Sequence, residues 1–387
     1  MIHEINLNLP SYFLYICFAL SISICAILGS RKYISLYVNE GCIKNNFLIV
    51  FFSFFLSAIL TFFAVNRKID NTGLGGADAY YYANVFQHII DYFDWSNPFL
   101  SLDGNEPLYY ILAWTINKIT INYKYFFLLV YFLIVFTYVY ILLKNISSGN
   151  MSVVPAFYLV IPYLNGYNVL RFSLGVALAL WGIESYQNKR YFKSALYFLI
   201  SVSCHFVTVV IPVCLLFASI FLKNKNSKKP IRIYVIWCLA LIISQVALGC
   251  ISMVLIHLGY RNYLGKEVSF FAILPTTICC LMAFIFYRDV SERLDNNRVY
   301  LNLLWCNFIF IPVFSIASFG RINDMFCIPR LIVWSAIIDS IRKRLSSGNR
   351  VTKNAITLCI IFLCAIWTIF RIYRMSRSKV IPYILYL

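Results

Sequence analysis

Charge is what this chain has least of. Only 12% of its 387 residues are charged, about half the share a soluble domain needs to cover its surface. Acidic residues are scarcer still, 15 against 33 basic ones, and histidines number four. No C-x-x-C pair occurs among the 13 cysteines, and no His/Cys/carboxylate run has metal-ligand spacing. Metal-independent chemistry is therefore expected, and cysteines such as Cys17, Cys25, Cys238, Cys359 and Cys364 read as small apolar fillers. The paired aspartates (D-x-D) of soluble nucleotide-sugar enzymes are missing too. Short alternating segments, the mark of a β-barrel, are lacking. Residues 1–10 have neither a basic start nor a small-residue cleavage site, so the first apolar run is expected to be retained.

What fills the chain instead is apolar: 61% of residues, with a mean hydropathy of +0.77. The apolar residues come in runs of about 17–25, the length that crosses a hydrocarbon core as helix. Backbone groups have no water partner there, which favours helices. The expected fold is all-α and polytopic, one membrane domain over 1–387 with about 11–13 transmembrane or re-entrant helices. Clear runs fall near 11–29, 47–65, 125–143, 167–187, 231–257, 268–287, 299–318, 326–341 and 355–373. The stretch 192–222 holds His205 and Pro212 and reads as two short helices with a tip near Cys204 and His205. Segments 106–119 and 152–164 are short; one is expected to span and the other to be re-entrant.

The formal charge of +18 does not point to nucleic acid, because the basic residues sit in short loops where they orient helices. Loop 31–46, Lys189, Arg190 and Lys193, the 223–232 run, and Arg342, Lys343 and Arg344 read as cytoplasmic. Residues 66–105, where Asp70, Asp78, Asp91, Asp94 and Asp103 outnumber Arg67 and Lys68, read as an outer loop. Any chemistry must use that loop and the outer helix ends.

Ionisable groups in or beside spans are costly and mark function by default. Arg171 lies about one turn into a helix from the outer side, near phosphate depth. Its guanidinium could grip a diphosphate or snorkel to headgroups. His205, at the expected hairpin tip, could reach the same cavity as base or phosphate donor, or be a hydrogen-bonded structural residue. Gly75 and Gly76 let the chain turn before Asp78, the most attractive general base, which could also be a solvated loop charge. Tyr80 and Tyr81 could stack on sugars or anchor the loop at the interface. Glu106 before Pro107 looks like a helix start, where its carboxylate would favour the dipole. Arg321 and Arg330 could add positive charge to the outer cavity, though Arg321 and Asp324 could pair with each other.

In order, these pieces resemble the EpsG-like family of exopolysaccharide and O-antigen (Wzy-type) polymerases. The resemblance is carried by Gly76-x-Asp78-x-Tyr80, Glu106-Pro107-Leu108, and Leu170-Arg171-Phe172-Ser173-Leu174 with Ala177. It continues through the basic turn Lys189-Arg190, His205 about 34 residues beyond Arg171, and Gly320-Arg321. It runs from about 66 to 341. Ala77 departs from the pattern, which has a small polar residue there, and no Thr follows Asp78.

The resemblance implies a glycosyltransferase of the bacterial inner membrane, related to the GT-C fold and needing no cofactor. Such enzymes move a glycan from undecaprenyl diphosphate to a sugar hydroxyl of the next lipid-linked repeat unit, on the outer face. A chain-length regulator is an expected partner alongside membrane lipids. In that scheme Asp78 is the base, with Glu106 a further catalytic candidate. Arg171, Arg321 and Arg330 hold diphosphate, Tyr80 and Tyr81 bind substrate, and His205 serves phosphate or acceptor. A flippase or other transporter, and a membrane acyltransferase with an intramembrane His base, are the rival classes. The first would show paired repeats and the second a further His motif; neither is evident.

Overall fold

A computed structural model describes residues 9–28, 42–72, 74–76, 78–92, 106–148, 154–222, 235–236, 239, 270–316, 322–345 and 350–375. The regular elements among them are helices. In chain order they are α1 (Leu9–Leu28), α2 (Cys42–Val65), α3 (Ala79–Gln87), α4 (Ile89–Tyr92), α5 (Pro107–Asn117) and α6 (Tyr123–Ser148). A 3-10 turn (Val154–Leu159) leads into α7 (Val160–Asn165), α8 (Leu170–Gln187) and α9 (Tyr191–Cys204). A second 3-10 turn (Phe206–Val209) precedes α10 (Val210–Phe221). The remainder are α11 (Phe270–Ile285), α12 (Tyr287–Arg293), α13 (Arg298–Ile316), α14 (Ile322–Met325), α15 (Cys327–Leu345) and α16 (Arg350–Met375). Packing divides the chain into two compact units, Met1–Val209 with Asn354–Leu387, and Val210–Lys353.

In the first unit α2 is built for lipid. Phe47, Phe51, Phe54, Phe55 and Phe62 are exposed, while Ser53, Leu56, Ser57, Leu60, Thr61 and Ala64 are buried. The buried positions recur at helical spacing and are mostly small, which lets backbones approach closely in a membrane. α2 packs on α6, and α6 on α8. α8 and α9 form the closest pair. Ser201 Oγ donates to the Gly175 carbonyl (2.7 Å), and Ser194 Oγ to that of Gly182 (2.8 Å). A Cβ on Gly175 would lie 2.9 Å from Thr208 Cγ2 and 3.2 Å from His205 Cβ. Gly175→Ala is therefore expected to cost about 1–3 kcal/mol through overpacking, read as a lower melting temperature, and to displace His205.

In the second unit, Arg293 pairs with Asp339 and Arg344 with Asp289, fastening α12 to the end of α15. Arg330 on α15 is buried and donates to Thr276 Oγ1 on α11 at 2.7 Å.

Two helical stretches are long and apolar enough to cross a membrane, Phe47–Val65 and Tyr123–Ile146. A third counts if Leu274–Ile285 and Tyr287–Arg293, bent by 96°, form one span. This is fewer than the 11–13 expected, among the described residues. Run 231–257 lies largely outside them. Leu170–Gln187 carries the buried Glu184 and the partly buried Arg171, and Cys327–Leu345 the buried Arg330 and the partly buried Asp339, so neither helix is uniformly apolar. Neither short segment can span alone. α5, with 11 residues, is about 16 Å long, and 154–165 is split between a 3-10 turn and the six-residue α7, against a core of about 30 Å. The break expected near Cys204 and His205 is present, with α9 ending at Cys204.

Candidate active site

A tight turn follows α2. Asp70 accepts from the amides of Thr72 (3.0 Å) and Leu74 (3.2 Å). The Thr72 hydroxyl, also bonded to it, holds the Asp70 carboxyl below its usual range. Gly75 and Gly76 follow at φ 80 and 131, a left-handed region open to glycine. A Cβ on Gly76 would sit 2.6 Å from the Tyr167 carbonyl, so this turn rests directly against the residues that lead into α8.

Arg67 fastens the turn. Its guanidinium is fully buried, donates to the carbonyls of Gly75 (2.6 Å) and Ala64, and reaches the Tyr131 hydroxyl at 2.7 Å. It lies 4.2 Å from the Tyr167 ring centroid and 5.1 Å from that of Tyr131. One arginine thus joins the end of α2, the glycine turn, α6 and the approach to α8. Arg67→Met would strand buried carbonyls at about 1–3 kcal/mol each. It is expected to lower the melting temperature of the purified protein, and an unchanged value would show that the turn is held by other contacts.

Beyond this turn stand three ionisable side chains that the sequence separates widely. Glu106 occupies the residue before α5, yet its side chain does not cap that helix. The helix starts where the sequence placed it, at Pro107, but the Glu106 carboxylate turns inward rather than capping it. Glu106 Oε1 meets His205 Nδ1, and Glu106 Oε2 lies 2.8 Å from Arg171 Nη1. That second contact is an ion pair without hydrogen-bond geometry, since Oε2 has no hydrogen-bond partner. Arg171 Nη1 donates to the Tyr110 hydroxyl at 2.7 Å. The side chains are 8% (Glu106), 17% (Arg171) and 19% (His205) exposed.

Local structure explains the meeting. Arg171 sits in the first turn of α8, and His205 ends α9 in an extended conformation. Because α8 and α9 pack through Gly175 and Ser201, both residues fall at one end of that pair. α5 packs on α9 and brings Glu106 to the same end. The His205 ring stands edge-on to Phe172, centroids 5.5 Å apart. Three tyrosines wall the guanidinium: Tyr82 and Tyr110 at 5.6 Å and Tyr109 at 6.0 Å, from ring centroid to Cζ.

Asp78 is half-buried at the start of α3 and does not cap it; among the described residues its carboxylate has no ion-pair partner. Tyr80 and Tyr81 are each 44% exposed, and Tyr82, one residue on, faces the arginine. Arg330 belongs to the second unit. Arg321 lies outside the described residues. Sequence reasoning passed over Tyr82, Tyr109 and Tyr110. Their spacing held a signal: Tyr82 follows Asp78 by four, and Tyr109 and Tyr110 follow Glu106 by three and four, offsets that set each tyrosine near the residue preceding its helix.

Chemically, the cluster is a carboxylate orienting an imidazole. An ionised Glu106 only accepts, so Nδ1 of His205 carries a proton, and in the neutral form of the ring Nε2 is then the acceptor. Arg171 holds the carboxylate from the other side. A membrane protein whose described elements are all helices, with a largely buried carboxylate–imidazole–guanidinium cluster, is the class that fold and site define. The EpsG family model matches residues 51–385, most of the chain. The chain belongs to the EpsG family, a family of Wzy-like polymerases. No curated protein and no solved structure matches it.

Proposed function

We propose that this protein polymerises polysaccharide repeat units at the outer face of the bacterial inner membrane. The growing glycan leaves undecaprenyl diphosphate and is joined to a sugar hydroxyl of another lipid-linked unit. The observation that carries this reading is Glu106 bridging His205 and Arg171, within a family of membrane polysaccharide polymerases. His205 Nε2 takes the proton of the acceptor hydroxyl as its oxygen bonds the donor's anomeric carbon. The bond from that carbon to the diphosphate oxygen breaks, and lipid diphosphate departs.

This moves the base role from Asp78 to His205. General bases work best when held within reach of the proton and in the right tautomer, and Glu106 supplies both constraints. Arg171 is committed to Glu106 and Tyr110, so the diphosphate falls to other cations. A chain-length regulator would act from outside the site.

Cells lacking this protein test the reading. Loss of a polymerase leaves single repeat units displayed on the outer surface, whereas loss of a flippase traps lipid-linked units inside. Intracellular trapping, or full-length polymer of altered acylation, would overturn it in favour of transport or acyl transfer.

A further inference from the structure

We infer that Tyr109, Arg171 and Glu106 form a carbohydrate subsite that holds the acceptor's hydroxyl beside His205. The inference rests on the polymerase reading and assigns a substrate class to one part of the site. Three buried polar atoms without a hydrogen-bond partner gather in this cluster: Glu106 Oε2, Arg171 Nε and the Tyr109 hydroxyl. Tyr109 is 2% exposed. Buried polar atoms are nearly always paired, and an unpaired one calls for an explanation.

Their chemistry names the missing partner. Glu106 Oε2 can only accept, the Arg171 Nε–H can only donate, and a tyrosine hydroxyl does either. A group that satisfies this set must donate to the carboxylate and accept from the guanidinium. A sugar hydroxyl does both, and its ring presents further oxygens to Tyr109. The rings of Tyr82, Tyr109 and Tyr110 wall the guanidinium and are themselves buried.

A diphosphate suits the cluster poorly. It has no hydrogen to give Glu106, and it would bring its charge against a carboxylate already 2.8 Å from the same guanidinium.

Tyr109→Phe provides a test in which binding and folding move differently. In the free protein the deleted hydroxyl has no partner, so its loss leaves the melting temperature unchanged or raises it. With ligand bound, the variant forfeits a hydrogen bond. The probes are the repeat-unit oligosaccharide, released from its lipid by mild acid, and inorganic pyrophosphate. Each is titrated into the full-length protein in nanodiscs. The expected result is oligosaccharide affinity reduced about three- to tenfold, pyrophosphate affinity unchanged, and no loss of thermal stability. Unchanged oligosaccharide affinity would overturn the subsite while leaving the polymerase reading intact, as would pyrophosphate binding that weakens in the variant. A fall of several degrees in melting temperature would also overturn it, by revealing a structural bond. Wild-type protein that binds no oligosaccharide would count against both readings.

Discussion

His205→Gln should reduce polymerisation by about 10²–10⁴-fold and leave cells with single repeat units. Glutamine is close to histidine in reach, and its amide can still donate to Glu106 Oε1, the contact His205 makes through Nδ1. What it lacks is a basic nitrogen. Its melting temperature should therefore stay near that of the wild type, separating lost chemistry from lost fold. Asp78→Asn is the matched comparison, because Asp78 is the competing base. Its half-buried carboxylate opens α3 without capping it, and nothing described fixes its direction, so its substitution should cost less. Polymer yield measured for both variants at equal protein level ranks them. If Asp78→Asn is the more damaging and His205→Gln retains polymer, the base assignment passes to Asp78.

How much of this was legible beforehand depended on whether a feature is local. Helicity follows from apolar runs that any window exposes, and the break at His205 from a polar residue followed by Pro212 within a long apolar stretch. Arg171 and His205 were legible as costly side chains in apolar surroundings, and their joint placement at one helix end followed from the turn between α8 and α9. Glu106 was ambiguous, because a carboxylate before Pro107 fits a helix start perfectly well. Its actual partner lies 99 residues away, a distance that no local pattern spans. Arg67 was counted as an outer-loop charge. Its burial depends on Tyr131 and Tyr167 closing over it, which only tertiary packing decides. The short helices α5 and α7 have the same lesson in reverse: apolar composition suggested crossings, but their lengths are set by Pro107 at one start and a 3-10 turn at the other.

Glu106 should be the most destabilising residue to neutralise, and the reason is electrostatic. Removing one partner of a buried ion pair leaves the other charge uncompensated and costs about 3–5 kcal/mol, whereas replacing both with apolar groups of similar volume is often neutral. Glu106→Gln strands the Arg171 guanidinium, which is 17% exposed, and also frees the His205 ring. Unfolding temperature and polymer yield should both fall sharply. Combining it with Arg171→Met removes the stranded charge, and much of the stability should return, giving a coupling of about 0.5–3 kcal/mol in a double-mutant cycle. Polymer should not return with it, because His205 still lacks the carboxylate that sets its tautomer. Two outcomes carry the decision. Additive stability losses would mean that Glu106 and Arg171 act independently, and the pair is then not a unit. Restored polymer in the double variant would mean that the pair is scaffold alone, with His205 needing no orientation from Glu106.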